Sequence, residues 1–272
     1  MRIALVQVGY GDDEPLEERV ERVAGLVRQQ RGHDLVVLPE LWPQGGFAYR
    51  GWADSAQSVS GGVAQVMSAA AREAGVVLHA GSIVERPGAG EPGPEGKGLW
   101  NTSLLFDADG ELVATYRKIH RFGFGQGEPK LMEAGEELVV LDLPTGDGHS
   151  ITAGLSTCYD LRFPELYRAQ VDLGAQLFVV PAAWPMVRLP AWRLMAQARA
   201  AEDLAYVVAV NTAGEHAGSQ MGGHSMVVDP MGRVLAEAGE EQEVLSVEID
   251  PTYVPQCRSE FPALQDRRLA NS

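Results

Sequence analysis

Cysteine is scarce in this chain. Only Cys158 and Cys257 occur among the 272 residues, which is too few for the disulfide framework of a small secreted domain. Neither cysteine belongs to the paired Cys or His spacings that are typical of zinc sites. The sequence therefore predicts a protein of a reducing compartment, the cytoplasm, with no metal site.

Long apolar runs and clusters of positive charge are also missing. No stretch approaches the roughly 20 apolar residues of a membrane-spanning helix. The apolar start of the chain meets an acid at Asp12 without a cleavage pattern, so we expect a first strand and not a signal peptide. The 22 Lys and Arg residues are outnumbered by 37 Asp and Glu, for a net charge of -15. This charge disfavours nucleic acid and anionic membranes as partners and leaves a small molecule as the expected ligand.

What the sequence has instead is an alternation of strand and helix patterns. Buried or alternating apolar runs predict strands at 2–8, 34–38, 76–84, 100–106, 111–117, 138–143, 151–157, 176–180 and 205–211. Helical periodicity predicts helices at 14–31, 61–74 and 191–204, and one that begins near Pro164. Helices that alternate with strands and hairpins predict an α/β fold with a mixed sheet. No composition shift divides the chain, so we expect one domain over residues 1–272.

Two irregular segments and one repeated pattern stand out along the chain. Residues 86–98 are rich in Gly and Pro and predict an exposed loop. Residues 119–137 form a long loop between strands, and such loops often carry function. The segments 34–39 and 176–181 read DLVVLP and QLFVVP, a weak indication of internal symmetry.

Cys158 lies where a predicted strand ends and a helix follows. This position exposes a side chain at the carboxyl end of a strand, where nucleophiles are common. A small buried core residue is an equally ordinary explanation for a free cysteine. A free thiol with a pKa of about 8.5 is mostly protonated at neutral pH, and its ionisation costs roughly 2 kcal/mol. A nucleophilic Cys158 therefore needs a nearby base or cation.

Glu40 and Lys118 supply a candidate base and a candidate cation. Glu40 directly follows the apolar run at 36–39, and Lys118 follows the second strand of the predicted hairpin. Taken singly, each is more often a solvated surface charge. Together with Cys158 they form a set that suits nucleophilic attack on a carbonyl carbon.

Three motifs around these residues resemble the signature motifs of the nitrilase superfamily. They read LPELW at 38–42, YRKIH at 116–120 and STCYDLRFPEL at 156–166. The resemblance extends to residues 100–102, 222–232 and 261–264, and so covers nearly the whole chain. It implies a four-layer α-β-β-α sandwich with mixed sheets, assembled as a homodimer or a higher homo-oligomer. It also implies a carbon-nitrogen hydrolase that needs no cofactor.

The resemblance assigns a role to each candidate residue. Glu40 would take the thiol proton, Cys158 would attack the carbonyl, and Lys118 with the backbone N–H of Tyr159 would stabilise the oxyanion. The family has a second glutamate in the loop after the lysine, which would orient that lysine and the substrate. Glu128 fits this place better than its rival Glu133, although a solvated loop carboxylate is the ordinary explanation for both.

Other residues near the motifs receive narrower expectations. Trp42 and Trp184 would narrow the pocket and favour small or flat substrates. Asp160, Arg162 and Glu165 surround a helix start and are expected to support the Cys158 turn. The remaining candidates, which we expect to be structural, are Ser156, His120 and His224.

The sequence leaves the substrate open. A small linear carboxamide, hydrolysed with release of ammonia as in omega-amidases, is the closest resemblance. Omega-amidases often carry His-Trp and Glu-Asn where this chain has Ala191-Trp192 and Glu202-Asp203. Nitriles and N-carbamoyl compounds are cleaved by relatives with the same motifs. A catalytically silent binding protein and a redox thiol protein are the alternatives of other classes.

Overall fold

Two six-stranded sheets form the centre of the structure, a computed structural model that describes residues 1–88, 93–146 and 148–269. The strands of the first half are β1 (Arg2–Gln7), β2 (Leu35–Val37), β3 (Val77–Glu85), β4 (Trp100–Phe106), β5 (Leu112–Arg117), β6 (Val140–Pro144) and β7 (Ser150–Leu155). Those of the second half are β8 (Leu177–Pro181), β9 (Tyr206–Val210), β10 (Glu215–His216), β11 (Ser219–Gln220), β12 (Met226–Val228), β13 (Val234–Glu237) and β14 (Glu243–Glu248).

The helices lie mostly between these strands. They are α1 (Leu16–Arg28), α2 (Trp52–Ser55), α3 (Gly62–Ala74), α4 (Glu128–Leu131), α5 (Pro164–Asp172), α6 (Leu189–Asp203) and α7 (Tyr253–Glu260). Two short 3₁₀ turns are formed by Cys158–Arg162 and Met186–Arg188. In the described ranges, no helix is long and apolar enough to cross a bilayer.

Both large sheets have the same internal order. The first runs β14-β1-β2-β3-β4-β5 and the second runs β6-β7-β8-β9-β12-β13. In each, three parallel strands stand in the middle, with one antiparallel strand on one side and an antiparallel pair on the other. The similar segments at 34–39 and 176–181 therefore fall on β2 and β8, which hold corresponding places.

The sheets and helices stack in four layers. One apolar core lies between the two sheets, a second between the first sheet and α1 with α3, and a third between the second sheet and α5 with α6. Leu35 and Val37 of β2 face the opposite sheet, whereas Val36 and Leu38, the residue after β2, face the helices. Because a central strand is covered on both faces, it reads as a continuous apolar run. The predicted α-β-β-α sandwich with mixed sheets is confirmed.

The loops differ more from expectation than the strands do. The segment 119–137, predicted as irregular, contains the short helix α4. In the segment 86–98, residues 89–92 lie outside the described residues. The backbone N–H groups of Glu95, Lys97 and Gly98 donate hydrogen bonds to the buried carboxylate of Glu133. This part of the expected solvent loop is therefore anchored to the protein.

Candidate active site

Three strand ends place the candidate catalytic residues. Glu40 follows β2 of the first sheet, Lys118 follows β5 of the same sheet, and Cys158 follows β7 of the second sheet. The backbone near Glu40 is fixed by a close approach: a Cβ at Gly81, whose φ is +67°, would lie 1.9 Å from the carbonyl oxygen of Pro39. Only glycine therefore lets β3 pack against the segment that carries Glu40.

A buried ammonium joins two buried carboxylates. The Nζ atom of Lys118 lies 2.7 Å from Oε1 of Glu40 and 2.8 Å from Oε2 of Glu128. The three side chains are at most 5% exposed. The Nδ2 group of Asn101 donates to Oε1 of Glu40 at 2.8 Å and to Oε1 of Glu128 at 2.6 Å. The backbone N–H of Ala183 donates to Oε2 of Glu40 at 2.8 Å. The charges are thus held rigidly and away from water.

The local electrostatics fix two protonation states. Burial alone would lower the pKa of Lys118, but the carboxylates of Glu128 and Glu40 raise it well above its ordinary value, so the ammonium persists. Burial, the charge of Glu40 and a hydrogen bond to the Glu40 carboxylate raise the pKa of Cys158 well above its ordinary value. The candidate nucleophile is therefore a neutral thiol beside a carboxylate.

The candidate nucleophile stands on a strained turn. Cys158 has a φ of +50°, a left-handed conformation that is uncommon for a residue with a side chain. Asp160, fully buried, accepts hydrogen bonds from the backbone N–H of Thr157 at 2.8 Å and the hydroxyl of Tyr116 at 2.7 Å. It also accepts from the backbone N–H and Nδ1 of His120. Asp160 therefore ties the Cys158 turn to the strand that precedes Lys118, which confirms its predicted supporting role.

Two small adjoining cavities meet at Cys158. Both are bounded by Phe47, Phe122, Cys158 and Ala183. The residues that line only the inner cavity are Glu40, Gly46, Tyr49, Lys118 and Glu128. Those that line only the outer cavity are Tyr159, Arg162, Trp184, Pro185 and Arg188. A substrate at Cys158 would thus have its reacting end in the inner cavity and the rest of its chain in the outer one.

The two tryptophans that were expected to narrow the pocket lie in different places. Trp184 lines the outer cavity, as expected. Trp42 does not line either cavity, so the expectation that it narrows the pocket is wrong. Its ring is fully buried in the core between the first sheet and its helices, and its Nε1 donates to the carbonyl of Ala80 at 2.9 Å. The backbone turns at Leu41, whose φ is +44°, and places the next side chain in that core.

The two candidate glutamates of the loop make different contacts. Glu128 lies in the cluster around Lys118 and accepts from the backbone N–H of Phe122 as well. Glu133 is equally buried, but its carboxylate oxygens accept the three backbone N–H groups of the 95–98 segment. Glu128 is therefore the glutamate placed to orient Lys118, and Glu133 is an anchor for a neighbouring loop.

Three contributors to the site were not identified from the sequence. Asn101 could have been noticed as a polar residue inside the apolar strand run 100–106. The backbone donor of Ala183 has no side-chain signal at all. Tyr49 lines the inner cavity, where burial and the charge of Glu128 raise its pKa to about 12 and keep the phenol neutral.

The two histidines near the motifs contact side chains outside the Lys118 cluster. His120 stacks on Phe163 with 3.7 Å between ring centroids, and His224 contacts Arg193 and Glu237. Within residues 1–88, 93–146 and 148–269, no group of three or more His, Cys, Asp or Glu side chains could hold a metal ion.

Comparison with known proteins agrees with this geometry. The model of the carbon-nitrogen hydrolase family matches residues 2–259. A 2-oxoglutaramate amidase from Paenarthrobacter nicotinovorans is 46% identical over 98% of this chain and 89% of its own length.

Solved structures extend the agreement to the fold. A CN-hydrolase superfamily protein from Xanthomonas campestris, with an arsenic adduct in its active site, superimposes with a TM-score of 0.87 at 29% identity and covers 99% of this chain and 98% of its own. An amidase from Nesterenkonia, solved with an acetamide moiety bound covalently to its active-site cysteine, has a TM-score of 0.78 at 29% identity and covers 98% and 94%. The chain therefore belongs to the carbon-nitrogen hydrolase family, the nitrilase superfamily, and is an amidase that hydrolyses an amide C–N bond.

Proposed function

We propose that this amidase hydrolyses the terminal amide of a short dicarboxylic acid monoamide, through a thioester on Cys158 and with release of ammonia. The observation that carries the proposal is the buried cluster of Glu40, Lys118 and Glu128 at one small cavity with Cys158. The substrate class is supported by the relative that is 46% identical, a 2-oxoglutaramate amidase.

The first half of the reaction forms the thioester. The neutral thiol of Cys158 gives its proton to Glu40 while its sulfur bonds to the amide carbon. The carbonyl oxygen becomes an oxyanion, which the Lys118 ammonium and the backbone N–H of Tyr159 stabilise. Loss of one such donor typically costs about 3 kcal/mol of transition-state stabilisation. The proton on Glu40 then passes to the nitrogen, the C–N bond breaks, and ammonia leaves.

The second half returns the enzyme to its starting state. Glu40, again a carboxylate, takes a proton from water as the water oxygen attacks the thioester carbon. The C–S bond breaks, the acid product leaves, and the proton returns from Glu40 to the sulfur. Glu128 and Asn101 keep Lys118 and Glu40 in place throughout, because both carboxylates accept from the same Asn101 amide.

We also propose a location, a domain organisation and an oligomeric state for the enzyme. Both cysteines are free thiols, and a nucleophilic thiol must stay reduced to work, which supports a cytoplasmic location. The core shared by the two sheets supports a single domain over residues 1–272. We also propose that the protein forms a homodimer or a higher homo-oligomer, as the resemblance implies.

Ammonia release from a panel of substrates tests the function. The panel contains omega-amides of dicarboxylic acids, simple aliphatic amides, nitriles and N-carbamoyl amino acids. We expect the omega-amides to have the highest kcat/KM and Cys158→Ala to lose activity by several orders of magnitude. Cys257→Ala, which removes the buried cysteine of α7, is the matched control and keeps wild-type rates. Activity that survives Cys158→Ala, or a preference for nitriles or carbamoyl compounds, would refute the proposal.

A further inference from the structure

Two arginines line the outer cavity. Arg162 and Arg188 stand beside Cys158 on the walls of this cavity. In the part of the chain that the structure describes, neither guanidinium forms a salt bridge or donates a hydrogen bond to a carboxylate. The chain has a net charge of -15, so two arginines in one cavity that form no salt bridge within the described residues indicate a binding site for an external anion.

Aromatic rings hold both guanidinium groups in place. The Arg162 guanidinium lies 5.1 Å from the ring centroid of Trp184, and that of Arg188 lies 5.2 Å from the ring centroid of Phe122. The Nε1 group of Trp184 donates to the carbonyl of Arg188 at 2.9 Å and fixes its backbone. A guanidinium that rests on a ring face keeps its N–H edge free to bind a carboxylate with two hydrogen bonds.

The joined cavities therefore have opposite electrostatic ends. The inner end holds two carboxylates, Glu40 and Glu128, around one ammonium, so it repels an anion and accepts a neutral amide. The outer end holds two cations, and no residue that the structure describes forms a salt bridge with either of them. This polarity orients a substrate that carries an amide at one end and a carboxylate at the other.

We propose that Arg162 and Arg188 bind the free carboxylate of the substrate and so select monoamides of short dicarboxylic acids over neutral amides. The inference rests on the proposed function, since it places the amide carbon at Cys158. Arg188 is the last residue of the 3₁₀ turn after β8, and Arg162 is the last residue of the turn that carries Cys158. The carboxylate would thus be held by two separate elements that flank Cys158.

A matched pair of substrates tests the selectivity. Succinamate and butanamide have chains of the same length and differ in whether the far end is a carboxylate or a methyl group. We expect the wild type to prefer succinamate, and Arg188→Met to lower the ratio of the two kcat/KM values about 10- to 100-fold. Arg162→Met should lower the same ratio. Arg188→Lys should lower it less, because a charge remains without the two-pronged geometry.

The control and a binding measurement separate this inference from the proposed function. Arg72→Met removes an exposed arginine on α3 and should leave the ratio unchanged. Calorimetric titration of succinamate into Cys158→Ala, with and without Arg188→Met, measures carboxylate binding when no turnover occurs. We expect the added Arg188→Met to weaken binding by a similar factor. Equal ratios in the wild type and both Met variants, or unchanged binding, would overturn the inference. Arg-dependent binding in a wild type that releases no ammonia would instead refute only the proposed function.

Discussion

At the scale of single residues, burial and the neighbouring Glu40, the proposed catalytic base, both disfavour ionisation of Cys158. Burial, the charge of Glu40 and the hydrogen bond to Glu40 all raise the pKa of the thiol, whereas Lys118 lowers it. Before substrate binds, the side chain of Cys158 is therefore a neutral thiol and not a thiolate. Proton transfer to Glu40 has to accompany the attack on the substrate, so a substrate in place is what makes the sulfur nucleophilic.

Removal of the base should consequently make the thiol more acidic. In Glu40→Gln, the negative charge that raises the pKa of Cys158 is absent and the attraction of Lys118 remains, so we expect the pKa of Cys158 to fall while amide hydrolysis is lost. Ultraviolet absorbance of the thiolate against pH measures this, with Cys158→Ala subtracted to remove the other ionising groups. A thiol pKa that is unchanged or higher in Glu40→Gln would show that Glu40 does not control it.

The two buried glutamates of the loop should respond differently to the same substitution. Glu128→Gln removes a carboxylate from Lys118, and we expect kcat to fall on the order of 100-fold with little change in fold. Glu133→Gln replaces one of the two oxygens that accept three backbone N–H groups by an NH2 donor, and it should lower the thermal midpoint while kcat changes much less. Steady-state kinetics and thermal unfolding of both variants decide it, and a larger loss of kcat in Glu133→Gln would reverse the assignment.

At the scale of elements, the apolar patterns of the sequence predict most of the strands and helices. The runs that predicted β2 and β8 are continuous because both faces of these strands are covered, and the strand bounds agree with the structure within a few residues. The strands β10, β11 and β14, which have no continuous apolar run, were missed. The positions of Glu40, Lys118 and Cys158 were predictable because each follows a strand whose end the sequence marks.

Contacts that depend on tertiary packing were not predictable in the same way. The orientation of Trp42 is decided by the left-handed turn at Leu41, which no residue type there announces. The donor at Ala183 is a backbone group, brought to Glu40 because β2 and β8 hold corresponding places in facing sheets. That Arg162 and Arg188 form no salt bridge with the described acids can be seen only when those acids have been located in the fold.

At the scale of the whole molecule, one buried charge opposes folding at neutral pH. Asp203 ends α6 with a side chain that is 1% exposed, and its Oδ1 lies 3.2 Å from Nη1 of Arg168. Neither carboxylate oxygen makes a hydrogen bond within the described residues. Burial raises the pKa of Asp203 to about 7, because the attraction of Arg168, Arg199 and Arg258 only partly offsets it and Glu202 adds to it.

The consequence is a pH-dependent stability that one substitution should remove. An unfolded Asp has a pKa of about 3.9, so the folded state binds the Asp203 proton more tightly than the unfolded state does. This proton binding stabilises the folded state fully below pH ~4, and the stabilisation is lost as the pH rises towards about 7. Asp203→Asn keeps the shape without the charge. We expect it to stabilise the protein by about 2–4 kcal/mol at pH ~8 and by little at pH ~4.5. Urea unfolding at both pH values measures the difference, and Asp54→Asn, at an exposed position of α2, controls for the loss of one carboxylate. A gain of the same size at both pH values would show that Asp203 is charged throughout and that Arg168 compensates its burial.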